Sequence, residues 1–325
     1  MKILTLEEEK KLSNNELLAY YKELQSFLLK MPYSKNLSPG SLTICPKINN
    51  QVKKILKTFC GYKIETIGYE NIKGITGIYA HTHQSKSDHI NCVATNPNHT
   101  IILNSSVLSN FYKSVINFNG VYYVDKRNKA SRNQAKLEMI KLLLENHSIT
   151  IFPESTWNCS PNKLHLPMRF GLIDISKKSQ KPIIPVVQEY IYDEKKQDGK
   201  ERIKKAYIVY GNPIYVKYND NLIEKLEEYS TAIATIRWNL IEQKGIFNRN
   251  NISNQQYINY MNGIKRNLRN AHIDINVERE GIYTSNDEFY LFHHINDVDY
   301  DKNGKLKETK YVRKLINLYN NNCYK

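Results

Sequence analysis

Between about residues 61 and 245 the sequence alternates short apolar runs with helix-like stretches, and no other feature restricts its fold as tightly. The runs "YKIETIGY", "TGIYAHT", "HTIIL", "GVYYV", "ITIF" and "PIIPVV" have the length and the β-branched or aromatic content of strands. Helices are expected between them near residues 87 to 94, 105 to 117, 128 to 146 and 170 to 180. A further strand pair, "KAYIVYG" and "PIYV", leads into a long helix over residues 219 to 243. Such alternation argues for an α/β layered domain. The spacing therefore predicts an α/β fold, a layered mixed sheet flanked by helices.

The flanks differ from this pattern. Ser13 and Glu16 stand in capping-box spacing, and Leu17, Leu18, Tyr21, Leu24 and Leu28 recur at helical intervals, which predicts a helix over residues 14 to 31 whose apolar stripe packs on a core. A loop with Pro32, Pro39, Gly40 and Pro46 follows, then a second helix in "NNQVKKILKTFC". After Gly245 the chain turns polar and Asn-rich. Three parts are expected: an N-terminal helical segment over 1 to 60, a central domain over 61 to 245, and an α+β extension over 246 to 325. In that extension "DYDKNGKLKETK" opens like a calcium-binding loop, but Lys310 stands where a bidentate glutamate is needed, so an Asn303-Gly304 turn is the better reading.

No segment approaches the roughly 18 to 20 consecutive apolar residues that a spanning helix requires, and "MKILTLEEEKKL" lacks a signal-peptide core. A cytoplasmic protein is expected. Cys45, Cys60, Cys92, Cys159 and Cys323 are scattered and never form C-x-x-C, which points to reduced thiols rather than a disulfide framework. The 47 Lys and Arg against 32 Asp and Glu give a net charge of +15, enough to attract an anionic surface. Lysine excess alongside abundant Asn, Ile and Tyr also arises from A+T-rich coding. No recognised nucleic-acid module accompanies the charge, so no nucleic-acid partner is expected.

The densest run of reactive side chains is "HTHQSKSDH", His81 to His89. Read as a metal site, His81, His83, Asp88 and His89 give H-x-H-x4-D-H, similar to the H-x-H-x-D-H run of metallo-β-lactamase-like hydrolases but three residues too long. Ligands must converge to about 2.0–2.2 Å of one ion, and no downstream His/Cys cluster completes the set. Read as an acid-base pair, His83 and Asp88 form H-x4-D between a strand and a helix start, with Ser85 or Ser87 as a cap. One ring nitrogen of His83 then accepts a proton while Asp88 holds the other N–H.

Three further blocks follow in order: "GVYYVDKRN", "FPESTWN" and "KPIIPVV". Together with H-x4-D they resemble, over about residues 60 to 240, the glycerolipid acyltransferase superfamily, which includes the 1-acylglycerol-3-phosphate acyltransferases. The resemblance implies an O-acyltransferase of phospholipid biosynthesis. It would move a fatty acyl group from acyl-CoA or acyl-ACP to a hydroxyl of a lysophospholipid or a related membrane-associated alcohol or polyol. His83 would be the general base and Asp88 its orienting partner, with direct attack, no acyl-enzyme, no metal and no cofactor beyond the thioester co-substrate. Lys126 by position and Arg127 by chemistry would bind an acceptor phosphate. Glu154, Ser155 and Thr156 would line the acceptor site. Ser155 replaces the family's glycine and Trp157 its arginine, which leaves the acceptor open and predicts an altered turn at Ser155. Amphiphilic substrates and a basic chain imply a peripheral seat on an anionic membrane surface, on the inner face of the cell membrane. Pro185 in the last block predicts a strand end or bulge.

Overall fold

The computed structural model describes residues 1–85, 87–105, 117–125, 128–155, 164–165, 168, 170–192 and 203–244. Its centre is a seven-stranded sheet: β1 (Lys63–Ile67), β2 (Ile78–His81), β3 (Thr100–Ser105), β4 (Val121–Val124), β5 (Ser148–Ile151), β6 (Ile183–Tyr192) and β7 (Ile203–Tyr210). The spatial order is β1-β7-β6-β2-β5-β3-β4, with β6 and β7 antiparallel and every other neighbouring pair parallel. The fold is thus α/β with a mixed sheet. "PIYV" does not become a strand; Ile214 makes one antiparallel bridge to Ile183.

Seven α-helices among the described residues flank the sheet: α1 (Leu6–Glu9), α2 (Asn14–Lys30), α3 (Ile44–Phe59), α4 (Asp88–Thr95), α5 (Lys129–Leu144), α6 (Gly171–Ser179) and α7 (Leu222–Lys244). The period-two alternation of the strands assigns each side chain to a layer. Ile78 and Ala80 of β2, Ile149 and Ile151 of β5, and Ile183 and Val187 of β6 pack with Met139 and Ile140 of α5, Ile173 of α6 and Ile233 of α7. On the opposite face, Ile102, Val121 and Phe152 meet Cys92 and Val93 of α4, with Val52 and Leu56 of α3 against them.

The Ser13/Glu16 capping box forms as expected, Ser13 N donating to Glu16 Oε2 at 2.8 Å. The stripe Leu17, Tyr21, Leu24 and Leu28 is buried in the same core as the sheet. Each such side chain contributes about 1.5–3 kcal/mol by leaving water, so α2 is an integral layer of the central unit. Charge ties this layer down as well. Lys178 of α6 pairs with Glu9 of α1 at 2.7 Å and with Asp174 at 2.8 Å, and Asp174 also takes Lys136 of α5 at 2.7 Å.

Pro185 lies inside β6 rather than at its end. It sits one residue before Val186, which opens the β6/β7 ladder opposite Tyr210, so its missing N–H interrupts no pairing with β7. The pairing of β6 with β2 stops at His81 opposite Val186, and β6 continues past the end of β2 with β7 as its strand neighbour among the described residues. That overhang forms one wall of the site.

Candidate active site

Two loops meet at the carboxyl ends of neighbouring parallel strands, where ligands bind in open α/β sheets. The loop after β2 carries His83 into α4, and the loop after β5 carries Phe152 to Ser155. His83 Nδ1 and Asp88 Oδ2 stand 2.7 Å apart. The His83 side chain keeps 11% of its surface exposed while Asp88 keeps none, so the ring is largely buried with a small accessible part and its carboxylate partner lies wholly inside.

Asp88 is the first residue of α4, and its side chain organises the loop before it. Oδ2 accepts the backbone N–H of Gln84 at 2.6 Å and of Ser85 at 2.9 Å as well as the imidazole. No serine caps the helix: Ser87 holds the N-cap position without a side-chain cap bond, and Ser85 Oγ instead accepts the backbone N–H of Ser87 at 3.2 Å. The expected serine cap does not form, and the Asp88 carboxylate collects donors of the loop before the helix rather than of its first turn. Oδ1 accepts a hydrogen bond from the Tyr190 hydroxyl.

The loop after β5 braces the histidine. Glu154, buried, accepts the backbone N–H of His83 at 3.1 Å through Oε1. The Phe152 ring lies 4.4 Å from the His83 ring between centroids, and His89 packs on both, 5.5 Å from His83 and 4.8 Å from Phe152. Ser155 adopts φ +61°, the left-handed conformation that glycine holds without penalty. The serine therefore stands in a turn whose conformation favours glycine.

His81 ends β2. It is fully buried, its Nδ1 lies 3.2 Å from Gln188 Nε2, and burial pushes the ring down to about 3, so it is a neutral imidazole. Among the described residues no group of three or more His, Cys, Asp or Glu side chains is arranged to hold a metal ion. Cys45, Cys60 and Cys92 are free thiols, and burial with Asp88 nearby holds the Cys92 thiol well above its usual range. Lys126, Arg127, Thr156 and Trp157, as well as Cys159, Cys323, the helix expected over 105 to 117 and the extension beyond 245, fall wholly or mainly outside the described residues. Of the expected site residues, the structure brings together His83, Asp88 and Glu154, with Ser155 adjoining.

A wall behind the pair extends beyond the apolar run that ends at Val187: β6 runs on through Gln188, Glu189 and Tyr190. Asn91 Nδ2 donates to Gln188 Oε1 at 3.0 Å and to the Tyr190 hydroxyl at 2.9 Å, and Tyr62 donates to Asn91 Oδ1 at 2.8 Å. On the other face Glu189 takes Arg237 Nε of α7 at 2.7 Å, and Gln84 Nε2 reaches the same carboxylate at 3.4 Å. The alternation Q-x-Y beside a carboxylate between them was the available signal.

No helix among the described residues is long and apolar enough to cross a membrane. Residues 63–189 match the family model described as Acyltransferase. Among solved structures the chain is similar to the 1-acyl-sn-glycerophosphate (LPA) acyltransferase PlsC from Thermotoga maritima, at 19% identity and a TM-score of 0.43, over 65% of this chain and 84% of that one. No curated protein matches the chain.

Proposed function

We propose, on the premise that residues 63–189 are an acyltransferase domain, that the chain transfers a fatty acyl group from acyl-CoA or acyl-ACP to the hydroxyl of a lysophospholipid or a related membrane-associated alcohol. The observation that carries this reading is the 2.7 Å contact between His83 Nδ1 and the wholly buried Asp88 carboxylate. With Nδ1 held as a donor, Nε2 is the nitrogen that takes a proton. As the acceptor hydroxyl attacks the thioester carbonyl, its proton passes to His83 Nε2. The tetrahedral centre then expels the thiolate, breaking the C–S bond, and the thiolate recovers that proton from the imidazolium. Asp88 stabilises the imidazolium between the two steps.

Glu154 holds the backbone at His83, and the order of the sequence blocks assigns it with Ser155, which stands in a left-handed turn, to the acceptor side. Lys126, Arg127 and Thr156 are assigned to the acceptor's polar head by the order of the sequence blocks. A net charge of +15 favours a peripheral seat on anionic lipid, which sedimentation with anionic vesicles at low salt tests. The acceptor itself is found by incubating the protein with labelled acyl-CoA and a panel of lysolipids and polyols and reading products by mass. A new ester to one acceptor class supports the reading; an intact thioester with every acceptor overturns it.

A further inference from the structure

We infer that Tyr190 is a positioning residue of the catalytic pair, a role that rests on reading His83 as the general base. Asp88 is gripped at both oxygens. Oδ2 collects His83, Gln84 N and Ser85 N, and among the described residues Tyr190 is the donor that reaches Oδ1. A carboxylate held at one oxygen still swings about its terminal torsion, which is broad and shallow. A donor on the second oxygen fixes the plane, so that Oδ2 meets Nδ1 of His83.

The phenol is itself immobilised for this task. Asn91 donates to its oxygen at 2.9 Å, Gln188 Oε1 lies 3.2 Å from it, and Tyr62 holds Asn91 at 2.8 Å. These partners come from three places: the loop before β1, the first turns of α4, and the part of β6 that outruns β2. The overhang of β6 thus has a use beyond the ladder with β7. Gln188 and Tyr190, two residues apart, share the face toward α4, and both bond there. Gln188 also reaches the backbone carbonyl of Asp88, at 3.4 Å.

Tyr210 supplies the comparison. It too is a buried tyrosine, and its hydroxyl bonds Thr95 Oγ1 at 2.9 Å and Asn96 Oδ1 at 3.2 Å, at the opposite end of α4 from Asp88. Loss of either hydroxyl leaves a ring of the same shape, and both variants lose some stability. Only the Tyr190 hydroxyl acts on the pair.

The experiment measures kcat, KM for the thioester and thermal midpoint for Tyr190→Phe and Tyr210→Phe, each in the parent and in Asp88→Asn. A hydrogen bond to a charged group implies that Tyr190→Phe lowers kcat about tenfold to a hundredfold, while Tyr210→Phe keeps the parental kcat. KM for the thioester should stay within about twofold, because a positioning loss falls on the chemical step. In the Asp88→Asn background the further loss on Tyr190→Phe should shrink to less than about threefold, since both act through one contact. The inference is overturned if Tyr190→Phe keeps the parental kcat, or if it costs the same factor with and without the Asp88 carboxylate. Absence of acyl transfer by the parent and by Tyr210→Phe overturns the acyltransferase reading instead. The positioning itself is then decided by the low-field Nδ1 proton of His83, assigned by its loss in His83→Ala. Tyr190→Phe should shift or broaden that resonance and Tyr210→Phe should not; an unmoved resonance overturns the inference.

Discussion

Replacing Asp88 by asparagine separates the charge of the carboxylate from its hydrogen bonds, because the surroundings let an amide keep nearly all of them. With its oxygen in the place of Oδ2, the asparagine still accepts from Gln84 N, Ser85 N and His83 Nδ1, at positions now 2.6, 2.9 and 2.7 Å away. Its amide nitrogen then faces Tyr190, whose hydroxyl turns its proton to Gln188 Oε1 at 3.2 Å and accepts instead. What disappears is the negative charge beside the imidazolium. Unit charges about 4 Å apart interact by about 4 kcal/mol at an effective dielectric constant near 20, and about 1.4 kcal/mol is a factor of ten. Because the proton is only partly transferred in the transition state, kcat should fall on the order of a hundredfold to a thousandfold. The unfolding free energy should move by less than about 1.5 kcal/mol, the scale of one ordinary hydrogen bond. Initial rates at saturating thioester and acceptor, with urea unfolding alongside, give both quantities. A kcat within about threefold of the parent in a folded protein refutes the electrostatic role assigned to Asp88.

Ser155→Gly and Ser155→Ala both remove the hydroxyl, so their difference isolates the backbone at φ +61°. The glycine variant should be more stable by about 1 kcal/mol in urea, and equal stability would contradict a conformational penalty there. Arg237→Met removes the 2.7 Å partner of the buried Glu189 and should cost about 3 kcal/mol or more of unfolding free energy. A loss of under about 1 kcal/mol, the range of exposed pairs, would show that this pair behaves as if it were in solvent. His81 is neutral in the fold, pushed down to about 3 from its ordinary 6.5, whereas the unfolded chain protonates it near 6.5. Its contribution is therefore complete above about pH 6.5 and is lost as pH falls toward 3, at up to roughly 1.4 kcal/mol per pH unit. His81→Gln should flatten that acid limb in urea unfolding, and an unaltered limb would contradict the assignment.

The sheet was legible because most of its strands carry their own signal. Runs such as "TGIYAHT" and "ITIF" are apolar on both faces, as strands covered on both sides must be. The pair His83 and Asp88 was legible for a similar reason, since five residues suffice to bring both onto one helix entrance. Non-local chemistry was not. Arg237 and Glu189 meet across 48 positions, and Tyr190 reaches Asp88 across 102; the Q-x-Y alternation marks the strand's buried polar residues but not the partners they meet at such separations. The end of β6 was misread because Gln188 and Glu189 look like the polar close of a strand, whereas in the fold both are fully buried and bonded. "PIYV" was misread in the other direction: its strand-like composition meets no neighbour beyond one bridge, so pairing rather than propensity decided it.

The most direct test compares the parent with His83→Ala in one assay: labelled acyl-CoA, the acceptor class identified by the panel, and ester product measured over time. General-base catalysis of this kind predicts a loss of about a hundredfold to ten-thousandfold in kcat for His83→Ala, with circular dichroism and thermal midpoint close to the parent's. Ester formation by His83→Ala at the parental rate would contradict the account.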